Sequence, residues 1–220
     1  DAVDQGAEVV VGCFAEKVLV EGGRAAGVTA RTGAGEITVR APQVVVAAGA
    51  LESPGLLLRS GIGGPAAGKH LRLHPCTSVF ADYGTDQKAW WGAPHAGIVD
   101  EFAPGLDGDG YGFLIEGAQY TTGLAASAIP FTTAVDHKEA MAGFSSAAST
   151  IGLIRDAGHG QVVLDANGQA TPLYSMTEQR DIATSRRALE SQIRMHVAAG
   201  ARRIQVLAEG LPTWRIGDDM

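Results

Sequence analysis

The chain has 220 residues, of which 45% are hydrophobic and 19% are charged. This balance is typical of a globular protein with a sizeable core and one or two domains. The net charge is −7 and no long basic run occurs, which argues against a surface for nucleic acid or for an anionic membrane. No apolar run reaches the roughly 20 residues of a membrane span.

The two cysteines, Cys13 and Cys76, form neither a metal-binding pattern nor a disulfide framework. We therefore expect each to be a small, buried apolar residue rather than a reactive thiol. The N-terminus is acidic, carries no signal-peptide pattern and lacks an initiating methionine. These features predict an internal segment of a longer, cytoplasmic protein, with membrane association of the full-length protein left open.

The first part of the chain predicts a three-stranded meander. Residues 8–20, 25–31 and 36–40 are rich in β-branched residues and are separated by glycine-containing turns. The turns at Gly22-Gly23 and Gly33–Gly35 are not followed by helices, so we interpret them as hairpin turns and not as nucleotide-binding loops.

An uninterrupted apolar run at residues 43–48 predicts a strand buried on both faces of a parallel sheet. Gly49 ends the run, and Ser53-Pro54 predicts a helix start, because serine caps free N–H groups and proline suits the first helical position. Gly61 predicts a left-handed helix end. A helix start that follows a parallel strand suits a phosphate-bearing cofactor, although a plain α/β crossover has the same pattern.

The pattern changes near residue 75, where we place a domain boundary. Beyond it, the sequence predicts an antiparallel sheet with flanking helices. The predicted strands are 76–83, 95–102, 111–118, 151–155, 161–165, 169–174 and 203–207, and the predicted helices are 134–149 and 177–199. Thr177 is the expected cap of the last helix, and one of its faces consists of Ile182, Leu189, Ile193 and Val197.

Two groups of residues have spacings that metal sites also use. His70 and His74 are four residues apart, but Leu71 stands where a zinc metalloprotease needs glutamate and Pro75 argues against a continuing helix. The Asp107-x-Asp109-Gly110 segment lacks the glutamate that completes a calcium loop. We therefore predict no metal site.

Residues 49–63, GALESPGLLLRSGIG, resemble the second signature of the glucose–methanol–choline (GMC) family of FAD-dependent oxidoreductases. That signature has small residues before a Ser-Pro pair, then aliphatic residues, then Ser-Gly-aliphatic-Gly. The matching positions are Gly49, Ala50, Ser53, Pro54, Leu56, Leu57, Ser60, Gly61, Ile62 and Gly63. The Leu73-His74-Pro75 segment and softer matches as far as about residue 210 resemble the long-chain alcohol oxidase branch.

This resemblance implies a fold of mixed α/β and α+β class. Residues 1–75 are expected to form part of an FAD-binding, Rossmann-like domain. Residues 76–200 are expected to form a substrate domain with an antiparallel sheet flanked by helices, and residues 201–220 to return toward the first domain.

The resemblance also implies hydride transfer from the CH–OH group of an alcohol to FAD. Its implied cofactor-binding residues are Ala15, Ala48, Gly49 and Ser53, with the strand around Phe14, Ala15 and Lys17 beside the adenine. The resemblance places two further parts outside this chain: the Gly-x-Gly-x-x-Gly segment that grips the FAD pyrophosphate and the segment with the family's catalytic histidine. No catalytic residue is therefore assigned, and the isolated chain is expected to be inactive. The expected partner is a small-molecule alcohol, a long-chain one being favoured. A sterol or sugar-type alcohol and a non-catalytic binding module are the alternatives.

Overall fold

A computed structural model describes residues 1–219. The chain divides into two compact units, the first formed by residues 1–72 and 159–175 and the second by residues 73–158 and the chain from 176 onward. These units differ from the predicted ranges in two places, because residues 159–175 pack within the first unit and the end of the chain packs within the second. The functional assignment of the ranges stays a prediction.

The elements combine twelve strands with four helices among the residues that the structure describes, which confirms the predicted mixed class. The strands are β1 (Cys13–Glu21), β2 (Arg24–Thr32), β3 (Gly35–Arg40), β4 (Lys69–Leu71), β5 (Cys76–Asp82), β6 (Ile98–Val99), β7 (Phe113–Ala118), β8 (Ala147–Ile154), β9 (Gly160–Leu164), β10 (Ala170–Leu173), β11 (Arg203–Val206) and β12 (Trp214–Arg215). The helices are α1 (Gly49–Ser60), α2 (Thr122–Ala128), α3 (Ala134–Ala142) and α4 (Gln179–Ala198). No helix within residues 1–219 has the length and hydropathy needed to cross a membrane.

The first unit contains the predicted meander. β1, β2 and β3 pair in chain order as an antiparallel sheet, joined by the two predicted hairpin turns. A second small sheet has the order β10-β9-β4. The turn between β9 and β10 contains Asn167-Gly168, a dipeptide typical of tight hairpins. The Asp165 carboxylate accepts the Asn167 N–H at 2.8 Å.

The predicted strand at residues 43–48 is wrong for this chain. These residues form no strand, and Val45 is 89% exposed. A strand buried on both faces needs a hydrogen-bonding neighbour at each edge and a layer over each face. Within the described residues this run pairs with no strand, and only Val44 and Val46 are partly buried, so its apolar composition alone does not make it a strand.

Helix α1 begins five residues before Pro54, the predicted first helical position. Its first residue is Gly49, so Ser53 and Pro54 lie inside the helix and not at its N-terminus. The predicted end is confirmed, because Gly61 has φ 68° and its N–H bonds back to the last turn. Helix α1 packs on β1 and on the β9–β10 hairpin, where Gly55 leaves no room for a side chain: a Cβ there would lie 2.6 Å from the Ala170 Cβ.

The second unit is built on a six-stranded antiparallel sheet with the order β12-β11-β5-β8-β7-β6. Helix α4 covers one face, where Val79, Ala81 and Ile204 form a buried cluster. Ile129, directly after α2, and Ala140 of α3 belong to a separate cluster around Phe80. The antiparallel sheet flanked by helices is therefore confirmed.

Two helix predictions in this unit need correction. The helix predicted over 134–149 ends at Ala142, because β8 begins at Ala147 and pairs with both β5 and β7. Glu178, and not Thr177, caps α4, since its carboxylate accepts the Arg180 N–H at 3.4 Å.

The face of α4 that packs most tightly is also not the predicted one. Its buried residues are Asp181, Thr184, Ala188, Ser191, Gln192 and His196. The predicted apolar residues Ile182, Leu189, Ile193 and Val197 are only partly buried along its flank. Hydrogen bonds to the sheet and to a loop hold the polar side in place, and periodicity of apolar residues does not report such bonds.

Candidate functional site

The start of α1 brings three of the four predicted cofactor residues together. Ala48 and Gly49 are exposed, and the Ser53 hydroxyl accepts a hydrogen bond from the Ala48 N–H at 3.0 Å. Gly49 has φ 82°, and no other atom lies within 4 Å of the position that a Cβ would take. Ser53 thus fixes the turn, while open space remains against the backbone of the first helical residue.

The electrostatics of this helix start favour an anion. The first N–H groups of a helix have no intrahelical acceptors and carry partial positive charge. Glu52 lies in this first turn, but its carboxylate pairs with Arg59 at 3.1 Å, two turns along the same helix face. The guanidinium is 11% exposed and the carboxylate 41%. The negative charge of Glu52 is therefore partly balanced by Arg59.

Ala15 lies near the other end of α1. Its carbonyl oxygen accepts a hydrogen bond from Arg59 Nη2 at 3.5 Å, and the neighbouring Glu16 carbonyl accepts from Arg59 Nε at 3.2 Å. The β1–β2 register shifts between Ala15 and Lys17, which makes Glu16 an extra residue in a bulge. Since α1 has 12 residues, about 18 Å of helix separates this end from Gly49. Only an elongated ligand can contact both Ala15 and Gly49.

A cavity of about 590 Å³ lies beside this bulge. Phe14 contributes an aromatic wall, with the guanidinium carbons of Arg59 and Arg31 at 5.0 and 5.5 Å from its ring centroid. The cavity is also lined by Lys17 and by the turn between β9 and β10. It combines a flat aromatic surface with cationic groups.

The metal-like spacings of the sequence have other structural uses. His70 packs against His159 with ring centroids 4.7 Å apart, and Asp109 forms an ion pair with Arg180 at 2.6 Å. Within residues 1–219 no three histidine, cysteine or acidic side chains are grouped as metal ligands. The predicted burial of the two cysteines is wrong: Cys13 is only partly buried and Cys76 is exposed.

A buried polar network crosses from the six-stranded sheet to α4. The Nδ1 atom of His196 lies 2.6 Å from the Tyr83 hydroxyl, and its Nε2 atom lies 3.0 Å from the Thr150 hydroxyl. The Gln192 amide donates to the Thr150 carbonyl at 3.0 Å and its oxygen accepts from Thr77 at 2.6 Å. Burial lowers the pKa of His196 to about 4, so the ring is neutral at pH 7 and links α4 to the sheet.

Sequence reasoning missed Arg59, which joins α1 to β1 and to the β9–β10 turn. Besides its contacts with Glu52 and β1, its Nη1 atom donates to the Gly168 carbonyl at 3.3 Å. Its signal in the sequence is an acidic and a basic residue seven positions apart, which places both on one face of a helix. The family signature specifies the small residues around Gly49 and does not include Arg59.

Comparisons with known proteins agree with this architecture. Residues 1–76 match the sequence model of the GMC oxidoreductase family. An uncharacterised GMC-type oxidoreductase of Mycobacterium tuberculosis strain H37Rv is 34% identical over 217 residues, which are 96% of this chain and 32% of that protein. A long-chain-alcohol oxidase of Arabidopsis thaliana is 30% identical over 222 residues, covering 93% of this chain and 29% of that protein.

Among solved structures, pyridoxine 4-oxidase from Mesorbium loti matches with a TM-score of 0.57 and covers 91% of this chain and 42% of that chain. At 21% identity this likeness establishes the fold alone. The chain spans about a third of the length of the curated relatives it matches.

Proposed function

The chain belongs to the GMC oxidoreductase family, and on this premise we propose that it is part of an FAD-dependent enzyme that oxidises the CH–OH group of alcohols. When bound, FAD supplies the hydride acceptor for this oxidation. The observation that carries the proposal is that the family match over residues 1–76 includes the open, anion-favouring start of α1. No residue of this chain is assigned as a catalytic acid or base.

The residues at the start of α1 fit a wall of the cofactor cleft that a dinucleotide approaches closely. Ala48 and Gly49 carry no bulky side chain, so a ligand can approach their backbone closely. The free N–H groups of the first turn can donate to an oxyanion. Ser53 would keep this turn rigid through its bond to the Ala48 N–H.

Ala15 is assigned to the adenine end through its backbone. Its small side chain leaves the edge of β1 accessible, and the bulge at Glu16 interrupts the pairing with β2 beside it. The length of α1 between Ala15 and Gly49 requires the cofactor to be extended, as an elongated dinucleotide is. In this arrangement Arg59 fixes the relative position of β1 and α1.

For the substrate we propose a long-chain alcohol. The similarity to a long-chain-alcohol oxidase covers 93% of this chain and therefore includes both structural units. Each methylene that an apolar pocket buries contributes roughly 0.8 kcal/mol. The complete enzyme would then gain kcat/KM with alcohol chain length until its pocket is filled.

The cofactor assignment is tested by Gly49→Ala in the complete protein that contains this chain, with Gly200→Ala as the control. Both glycines have positive φ, 82° and 90°, with open space at the Cβ position, so each substitution costs about 1 kcal/mol of backbone strain. We expect flavin absorbance per protein to fall severalfold only in the Gly49 variant. Equal flavin content in the two variants would refute the assignment of Gly49.

The substrate is tested by kcat/KM over a series of primary alcohols, with glucose, choline and a sterol as competitors. A rise with chain length supports the long-chain assignment. A flat profile or a preference for one of the competitors removes it and leaves the family-level oxidation. Complete absence of flavin and of alcohol oxidation would instead favour a non-catalytic binding module.

A further inference from the structure

The second unit places two arginines directly opposite each other. Arg203 of β11 pairs with Arg215 of β12 in the antiparallel register, so both side chains leave the same face of the sheet. Like charges directly opposite across two strands repel each other. A nearby negative charge would reduce this repulsion between Arg203 and Arg215.

Within residues 1–219 the two arginines are compensated unequally. Arg215 forms an exposed ion pair with Glu139, with N···O 3.3 Å. Arg203 has no carboxylate within ion-pair distance among the described residues, and its single hydrogen bond runs from Nη2 to the Gln205 amide oxygen at 3.3 Å. Its Nε atom is fully buried and has no acceptor. A buried donor of this kind, on a charged group, is costly to leave unsatisfied.

Both arginines line one cavity of about 240 Å³. Its other polar groups include Thr132, Thr213 and Asp136. The Asp136 carboxylate is exposed and accepts a hydrogen bond from the Thr133 hydroxyl at 2.7 Å. The Asp136 N–H donates to the same hydroxyl oxygen at 3.1 Å. The carboxylate forms no ion pair with either arginine within the described residues. Of the two guanidinium groups in the cavity, that of Arg203 has no ion-pair partner within the described residues, although the Asp136 carboxylate also lines the cavity.

We infer that this cavity binds a small oxyanion, a carboxylate or a phosphate group, between Arg203 and Arg215. A guanidinium presents a planar set of N–H donors that matches two oxygens of either group. The anion accepts from Arg203 and relieves the repulsion with Arg215. This site is formed wholly by the second unit and does not depend on the proposed flavin chemistry.

The test uses the complete protein and three probes: inorganic phosphate, acetate, and chloride at matched ionic strength. The thermal midpoint is followed during each titration, because a ligand that binds only the folded state raises it in a saturable way. We expect phosphate, acetate or both to raise the midpoint beyond the effect of chloride. Stabilisation by phosphate alone or by acetate alone identifies which oxyanion the site prefers.

Variants separate this site from general charge effects. Arg203→Gln is expected to weaken the oxyanion effect by about tenfold or more, whereas Arg202→Gln, which removes an exposed neighbouring charge, keeps it. If Arg203→Gln does not fold, Arg203→Lys is the second variant. It retains the positive charge but lacks the planar set of N–H donors, so it is expected to bind the oxyanion more weakly than wild type. Equal titrations in wild type and the Arg203 variants, or no effect beyond chloride in wild type, overturn the inference.

Discussion

Two stretches of this chain contrast in composition and in burial. Residues 43–48, QVVVAA, are the more apolar by sequence, yet they form no strand and Val45 is 89% exposed. Strand β8, AASTIGLI, contains serine, threonine and glycine, and it lies inside the six-stranded sheet with β5 on one edge and β7 on the other. Ser149 and Thr150 are 5% and 8% exposed there.

The difference follows from the available partners. The hydroxyl of Ser149 donates to the Ala118 carbonyl at 2.8 Å, and Thr150 contacts both His196 and Gln192 of α4. Neighbours on both edges and a helix above supply hydrogen bonds, so burial of polar groups is tolerated. Residues 43–48 have no strand partner within the described residues, and their apolar composition alone does not bury them fully.

The largest effect on stability is expected when Gly152 in β8 is replaced by valine. A Cβ there would lie 2.5 Å from Thr77 Oγ1 and 3.1 Å from the Ala188 Cβ, so the strand must separate from α4. We expect a loss of about 3 kcal/mol or more in the free energy of unfolding, measured by urea denaturation. Val45→Thr in the apolar run is expected to change it by less than about 0.5 kcal/mol. Similar losses for the two variants would contradict the contrast.

The second test measures how stability depends on pH through His196, which belongs to the polar network between β8 and α4. The pKa of His196 falls from 6.5 to about 4 on folding, so the folded state binds this proton less readily than the unfolded chain. The stabilisation is therefore full above about pH 6.5 and declines as the pH falls toward 4. At about 1.4 kcal/mol per pKa unit the loss is on the order of 3 kcal/mol.

Urea denaturation from pH 7 to pH 4 measures this loss. His196→Gln, which removes the titrating ring, is expected to flatten the dependence. The control His159→Gln changes an exposed histidine and is expected to retain the wild-type slope. A wild-type slope in the His196 variant would assign the acid sensitivity to other groups.

The third and smallest test compares two helical glycines. Gly55 of α1 faces Ala170, and a Cβ there would lie 2.6 Å from the Ala170 Cβ, whereas Gly123 of α2 has open space. We expect Gly55→Ala to cost about 1–2 kcal/mol through overpacking. Gly123→Ala is expected to add up to about 1 kcal/mol, because alanine favours the helix. The thermal midpoints of the two variants are measured by calorimetry. A shift in the same direction for both variants would show that α1 lacks the tight contact with β10.

Helix α1 starts earlier than the residues of its signature predict. Ser53-Pro54 has the composition of a helix start, but positive φ at Gly49 lets the chain turn into the helix five residues before Pro54. The Ser53 hydroxyl still satisfies a backbone N–H, that of Ala48. The local preference was real, and the tertiary packing of α1 on β1 changed its position.

The sequence by itself determined the elements whose information is local. The meander at β1–β3, the hairpin at Asn167-Gly168 and the left-handed residue Gly61 follow from turn chemistry and alternation over a few neighbours. The family signature at residues 49–63 likewise needs no contact with the rest of the chain. Only the tertiary structure decided the polar buried face of α4, the reach of Arg59 from α1 to β1, and the pairing of Arg203 with Arg215. Those contacts join residues far apart in the chain, and their stability depends on hydrogen-bond partners that no local pattern specifies.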